Sequence, residues 1–236
     1  MALDRRNNLL FAVNAGSNSV SSFKIKNDGS LELLSTESTK GEKPVSVTAH
    51  DHYVYVVNSG SSDITGFIVD GKGKLSPIVG SHQTLSSTGA DPAQISFTPD
   101  GDALFISEKG DNKITAFRVN AYGVAYNKVV NQSVGNTPFG FDFVRDQFMV
   151  VSNADGGNAG TSSCTSYRNL DNLHINSVNG KVNNGQTAVC WVGTTSFGRF
   201  AFAANTGSNT ISAFFVDQSG KLFLIPWVNE KAGEKP

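Results

Sequence analysis

The stretch Phe11-Ala12-Val13-Asn14-Ala15-Gly16-Ser17-Asn18-Ser19-Val20-Ser21-Ser22-Phe23 returns near the other end of the chain as Phe202-Ala203-Ala204-Asn205-Thr206-Gly207-Ser208-Asn209-Thr210-Ile211-Ser212-Ala213-Phe214. Related copies begin at Val56-Val57-Asn58-Ser59-Gly60, at Phe105-Ile106-Ser107-Glu108-Lys109-Gly110, and more loosely at Phe148-Met149-Val150-Val151-Ser152-Asn153. Five copies at a period of roughly 45–50 residues mean a repeat architecture, because units of that size bury their apolar faces only by stacking on one another.

Each copy follows one local logic. A run rich in Val, Phe and Ile reads as a strand covered on both faces. A turn of Asn, Ser and Gly follows, and Gly16, Gly60 and Gly207 are expected to supply its positive φ. The next run alternates apolar and polar residues, as a half-buried strand does. Further turns at Asn27-Asp28-Gly29-Ser30, Asp70-Gly71-Lys72-Gly73 and Asp217-Gln218-Ser219-Gly220 lead to short closing strands. Pro44, Pro92 and Pro138 open a strand ahead of their repeat cores, and a fourth such strand, without proline, lies around Thr187 to Val192. Four antiparallel strands per unit at this period describe the blade of an all-β propeller, with about five blades in this chain. The expected organisation is a single domain over residues 1–236, with blade repeats at about 9–43, 44–91, 92–137, 138–186 and 187–236.

The segment Met1 to Asn8 is charged and lacks the apolar run of a signal peptide, so the first strand is expected at Leu9, as the second strand of its blade. The default location is cytoplasmic, with export the alternative suggested by a charged content of only 17%. Gly233-Glu234-Lys235-Pro236 repeats Gly41-Glu42-Lys43-Pro44, where an inner strand opens. At least one inner strand is therefore expected to be lacking. Ring closure is expected from further blades, from an irregular closure, or from a second chain. With a net charge of -1 and the signs interspersed, no nucleic-acid or membrane-surface patch is expected. No apolar run approaches the roughly 18–20 residues of a spanning helix.

In a propeller the starts of inner strands and the ends of second strands converge on one mouth of the central channel. Here that mouth is expected to collect Pro44, Ser46, Pro92, Gln94, Pro138 and Phe139 with Asn14, Asn58, Glu108, Lys109, Asn153 and Asn205. The recurring asparagines suit a structural role at strand ends, where the side chain bonds its own turn, and they are also candidate substrate contacts. Ser107-Glu108-Lys109-Gly110 breaks the pattern, placing a carboxylate and an ammonium where the other copies have Asn.

Asn14 to Phe23, Phe97-Thr98-Pro99-Asp100-Gly101, Thr137-Pro138-Phe139-Gly140-Phe141 and Ala188-Val189-Cys190-Trp191-Val192 together resemble the seven-bladed β-propeller lactonase family. That family includes 6-phosphogluconolactonase and the fungal carboxy-muconate cyclase. The resemblance implies a hydrolase of a sugar lactone or related cyclic ester, acting on a small-molecule lactone or sugar acid without a cofactor. Glu108 and Lys109 are then the candidate catalytic base and electrophile. Gln94, Asn14, Asn58, Asn153, Asn205 and Phe139 are the candidate substrate contacts. Family members of established chemistry place His, Arg and Glu in the channel, and Gln94 stands where a histidine would have been informative. The alternative is a non-catalytic propeller that acts as a carbohydrate- or protein-binding scaffold.

His50, His52, His82 and His174 are expected in loops or outer strands. Asp155-Gly156-Gly157-Asn158, Asp63 and Asp111 lack calcium-loop spacing, and Cys164 and Cys190 lack zinc spacing, so no metal is expected. Cys190, beside Trp191, is expected to be a buried thiol. No Gly-x-Ser-x-Gly elbow is present, which disfavours a serine hydrolase.

Overall fold

The computed structural model describes residues 1–169 and 173–231. Its strands form five antiparallel sheets, each running outward in chain order. The first sheet is β1 (Ala2–Asp4), β2 (Leu9–Asn14), β3 (Ser19–Ile25) and β4 (Leu31–Ser38). The second is β5 (Pro44–His50), β6 (Tyr53–Asn58), β7 (Asp63–Val69) and β8 (Leu75–Pro77), with β9 (Gln83–Thr84) also paired to β7. The third is β10 (Pro92–Phe97), β11 (Ala103–Glu108), β12 (Lys113–Val119) and β13 (Ala125–Gln132). The fourth is β14 (Pro138–Val144), β15 (Phe148–Asn153), β16 (Ser163–Asn169) and β17 (Ile175–Asn183). The fifth is β18 (Val189–Thr194), β19 (Phe200–Asn205), β20 (Thr210–Val216) and β21 (Leu222–Lys231). These are the blades of a partial β-propeller.

The chain divides into two compact units, Met1–Ile106 with Thr115–Val129, and Ser107–Ile114 with Val130–Pro236. Within the first, one core joins Leu9, Phe11 and Val20 to Val54, Val56 and Phe67. A second core joins Tyr55, Val57 and Ile64 to Ile95, Leu104, Ile106 and Phe117. Within the second unit, Phe148 and Val150 pack with Val192, Ala201, Ala203 and Phe214. Each large side chain so buried contributes roughly 1.5–3 kcal/mol. Strands β11 and β15 are buried along their whole length, as a strand sandwiched between neighbouring sheets must be.

Four expectations are corrected. Ala2–Asp4 is a strand and supplies the inner edge of the first sheet, Leu3 opposite Leu10. Three residues without a proline or an apolar run carry no strand signal; pairing with β2 makes them one. The closing strands are mostly long, eight residues in β4 and nine in β17, because they follow the twisted partner strand through register shifts. Gly16, Gly60 and Gly207 do not have positive φ; that conformation falls two residues later, at Asn18 (52°), Ser62 (53°) and Asn209 (54°). Cys164 is the buried thiol, pushed up to about 12 by desolvation, whereas Cys190 is half-buried; both are free. The register shift between Val189 and Trp191 turns β18 away from simple alternation.

Candidate functional site

Five second strands end at equivalent positions, on Asn14, Asn58, Glu108, Asn153 and Asn205. The asparagine amides turn into their own hairpins. Asn14 Nδ2 donates to Ser19 Oγ and Ser21 Oγ at 3.0 and 2.9 Å. Asn205 Nδ2 donates to Thr210 Oγ1 and Ser212 Oγ at 3.0 and 2.9 Å, and Asn153 Nδ2 to Thr165 Oγ1 at 2.9 Å. Asn58 Nδ2 donates to the buried carboxylate of Asp63 at 2.6 Å. Asn58, Asn153 and Asn205 are buried and Asn14 is half-buried. Each amide therefore clamps the strand end to the strand that returns from the turn.

In the first unit, Gln94 is half-buried on β10. Its neighbour Ile95 donates its N–H to Ser46 Oγ at 3.3 Å, and Phe97 donates to Thr48 Oγ1 at 3.2 Å, which holds β10 beside β5. Behind Asn58, Asp63 lies 3.9 Å from His82 Nε2, and His82 Nδ1 is 3.1 Å from Thr65 Oγ1. Sequence reasoning missed this polar cluster, since residues 63 and 82 belong to different segments of one irregular outer strand region. It also misplaced His50, which ends the inner strand β5, with Nε2 3.2 Å from the Pro99 carbonyl and its ring 5.8 Å from Phe97. A cavity of about 530 Å³, bordered by Asn7, Lys24, Asp51, His52 and Lys72, lies at the ends where second strands begin, opposite Asn14 and Asn58.

The second unit brings two of the sequence candidates together. Glu108 is fully buried at the end of β11, and Lys109 follows it, half-buried. Lys109 Nζ stands 5.2 Å from the centroid of the Phe139 ring, a cation–π distance. Phe139 meets Trp191 edge to face, centroids 5.8 Å apart at 79°, and Trp191 is 48% exposed. Ser107 Oγ donates to the Phe139 carbonyl, tying the inner strand of the fourth sheet to the strand that carries Glu108. Ser152 Oγ repeats the device, 3.0 Å from the Cys190 carbonyl. Gly140 is required here, because a Cβ would collide with the Trp191 ring and come within 2.8 Å of the Cys190 oxygen. Trp191 was not among the candidates; its place after Cys190 in an apolar run hid that the register shift would expose it.

Among the described residues, no group of three or more His, Cys, Asp and Glu side chains is arranged to hold a metal. Asp155 instead accepts a hydrogen bond from Asn136 Nδ2 at 2.9 Å; bonds from Thr161 and Asn136 hold its carboxyl below the usual range.

A family model described as "Lactonase, 7-bladed beta-propeller" matches residues 1–92 and 50–167. No curated protein sequence matches the chain. Among solved structures, the periplasmic gluconolactonase of Pseudomonas aeruginosa is similar at 17% identity and a TM-score of 0.79, over 98% of this chain and 69% of that one. A Lactobacillus plantarum protein is similar at 17% identity and a TM-score of 0.78, over 94% and 68% of the two chains. The virginiamycin B lyase of Staphylococcus aureus is similar at 15% identity and a TM-score of 0.63, over 95% and 68%. At such identities the likeness is one of fold, and that fold carries both a lactonase and a lyase.

Proposed function

The chain belongs to the lactonase family of seven-bladed β-propellers, and from that premise we propose that it hydrolyses a sugar lactone or related cyclic ester at the second-strand ends of its second unit. The observation that carries the reading is the meeting of Lys109 with Phe139 beside buried Glu108, at the position where the other blades have asparagine. In this reading Lys109 faces the carbonyl oxygen and offsets the negative charge that develops there. In the same reading Glu108 takes a proton from the attacking water. The water oxygen bonds to the carbonyl carbon, the ring C–O bond breaks, and the leaving alkoxide is protonated to give a hydroxy acid. Phe139 and Trp191 offer aromatic surface to the apolar face of the substrate ring.

A pH-stat assay over sugar and aliphatic lactones tests this. Glu108→Gln and Lys109→Gln should each lower kcat by about 100-fold or more, the scale of a lost general base or oxyanion partner, while thermal unfolding still shows a folded protein. No turnover above buffer by folded wild type rejects it.

A second reading, a non-catalytic scaffold for a carbohydrate or protein, is favoured by a different observation. The asparagine amides are engaged inside their own blades and so act as structural clamps. Calorimetric binding of sugar acids that survives Glu108→Gln, without turnover, supports that alternative.

A further inference from the structure

In the second sheet, Asn58, Asp63, Thr65 and His82 form a polar cluster whose protons can be counted. Thr65 Oγ1 lies 2.6 Å from the Thr39 carbonyl, which can only accept, so its one hydroxyl proton goes there. His82 Nδ1 stands 3.1 Å from the same Oγ1 and is therefore the donor of that bond. A neutral imidazole so held turns a bare lone pair at Nε2 towards Asp63, whose Oδ2 is 3.9 Å away. The other oxygen of that carboxylate accepts from Asn58 Nδ2 at 2.6 Å. Two acceptor atoms thus face one another.

Metal ligands are arranged in this way. A ligating imidazole donates its second nitrogen to an oxygen, a ligating carboxylate is itself hydrogen-bonded, and these outer partners fix the orientation of both. Thr65 serves the imidazole here and Asn58 serves the carboxylate, and both are buried. Asn58 Oδ1 is a further buried acceptor, without a hydrogen-bond partner among the described residues. A Cβ on Gly41 would collide with Asn58 Nδ2 and Asp63 Oδ1, so the backbone at residue 41 closes one side of the carboxylate. The Asp63 side chain is only 5% exposed, whereas that of His82 is 43% exposed and gives the pair an opening to solvent.

We propose that His82 Nε2 and Asp63 Oδ2 hold a divalent transition-metal ion of the zinc class, with solvent in the remaining positions. The nitrogen ligand argues for that class over Mg²⁺ or Ca²⁺, which take oxygen. Ligands of a tetrahedral ion with bonds of about 2.1 Å stand about 3.4 Å apart. The pair at 3.9 Å therefore has to close by about half an ångström, which a small rotation of the imidazole supplies. Asp63 opens β7 and His82 directly precedes β9, so the ion fastens β9 to its sheet. The inference does not depend on the catalytic reading.

The test is calorimetric titration and thermal unfolding of the untagged chain with Zn²⁺ at pH 8, and with Mg²⁺ in parallel. Wild type should bind Zn²⁺, and saturating Zn²⁺ should raise its unfolding midpoint by about 2 °C or more, with no such rise in Mg²⁺. His82→Gln should abolish the rise. The double variant His50→Gln, His52→Gln, changed at the opposite end of β6 from Asn58, should keep it. His82→Ala substitutes for His82→Gln should the latter fail to fold, as judged by circular dichroism. A wild type that binds no Zn²⁺ overturns the proposal and leaves the pair as an ion pair alone. So does a rise that His82→Gln leaves intact, since the ion would then sit on other side chains, and so does an equal rise in Mg²⁺.

Discussion

Gly16, Gly60 and Gly207 occupy the same place in three turns and are there for different reasons. None has positive φ; Asn18, Ser62 and Asn209 take that conformation instead. Around Gly16 there is open space, whereas a Cβ on Gly60 would come within 2.9 Å of Glu42 Cβ, and one on Gly207 within 2.6 Å of Thr187 Cγ2. Gly60→Ala and Gly207→Ala should therefore each cost about 1–3 kcal/mol through overpacking. Gly16→Ala should be neutral or stabilise by up to about 1 kcal/mol, because it restricts the unfolded chain. Urea midpoints measure all three, and equal effects would show that the turn conformation, not the neighbour, makes the difference. A reading of the turn alone could place the glycines but not their neighbours, since Glu42 and Thr187 arrive from preceding segments.

At the scale of the element, the turns from third to fourth strand share an Asx design. Asp28 accepts from Ser30 Oγ and N, Asp70 from the N–H groups of Lys72 and Lys74, and Asp217 from Ser219 Oγ and the N–H groups of Ser219 and Lys221. These bonds hold the carboxyls below their usual range, chiefly through Ser30 Oγ at Asp28, the Lys74 N–H at Asp70 and Ser219 Oγ at Asp217. A folded-state pKa below the unfolded one stabilises fully above the ordinary carboxylate value of about 3.9, and that stabilisation is lost as pH falls through the lower folded values. The combined variant Asp28→Asn, Asp70→Asn, Asp217→Asn should thus flatten the acid limb of stability against pH, since an amide oxygen accepts the same backbone bonds at every pH. The third sheet already uses that form, with Asn120 Oδ1 accepting from Tyr122 and Val124. An unchanged acid limb in the variant would mean that these turns do not govern it. The turns themselves were legible, because Asp, Gly and Ser at fixed offsets act locally. The strand at Ala2–Asp4 was not, because it exists only through its pairing with β2.

Over the whole molecule, burial rises from outer to second strands: β11 and β15 are buried throughout, while β4 is largely exposed and β19 alternates. Amide hydrogen exchange should accordingly be slowest in β11 and β15, fast in β4, and faster in β19 than in β15. Equal protection in β19 and β15 would mean that exposure of alternate residues does not loosen a second strand. The five-fold succession of strand and turn was determined by the sequence alone, because alternation and turn chemistry are properties of neighbours along the chain. Glu108 and Lys109 stood out there too, as the break in a repeated asparagine. Only the tertiary structure decided that Lys109 meets Phe139, that Phe139 meets Trp191, and that the asparagine amides point into their own blades. Such contacts depend on register and on how sheets tens of residues apart lie face to face, and no local pattern carries that information.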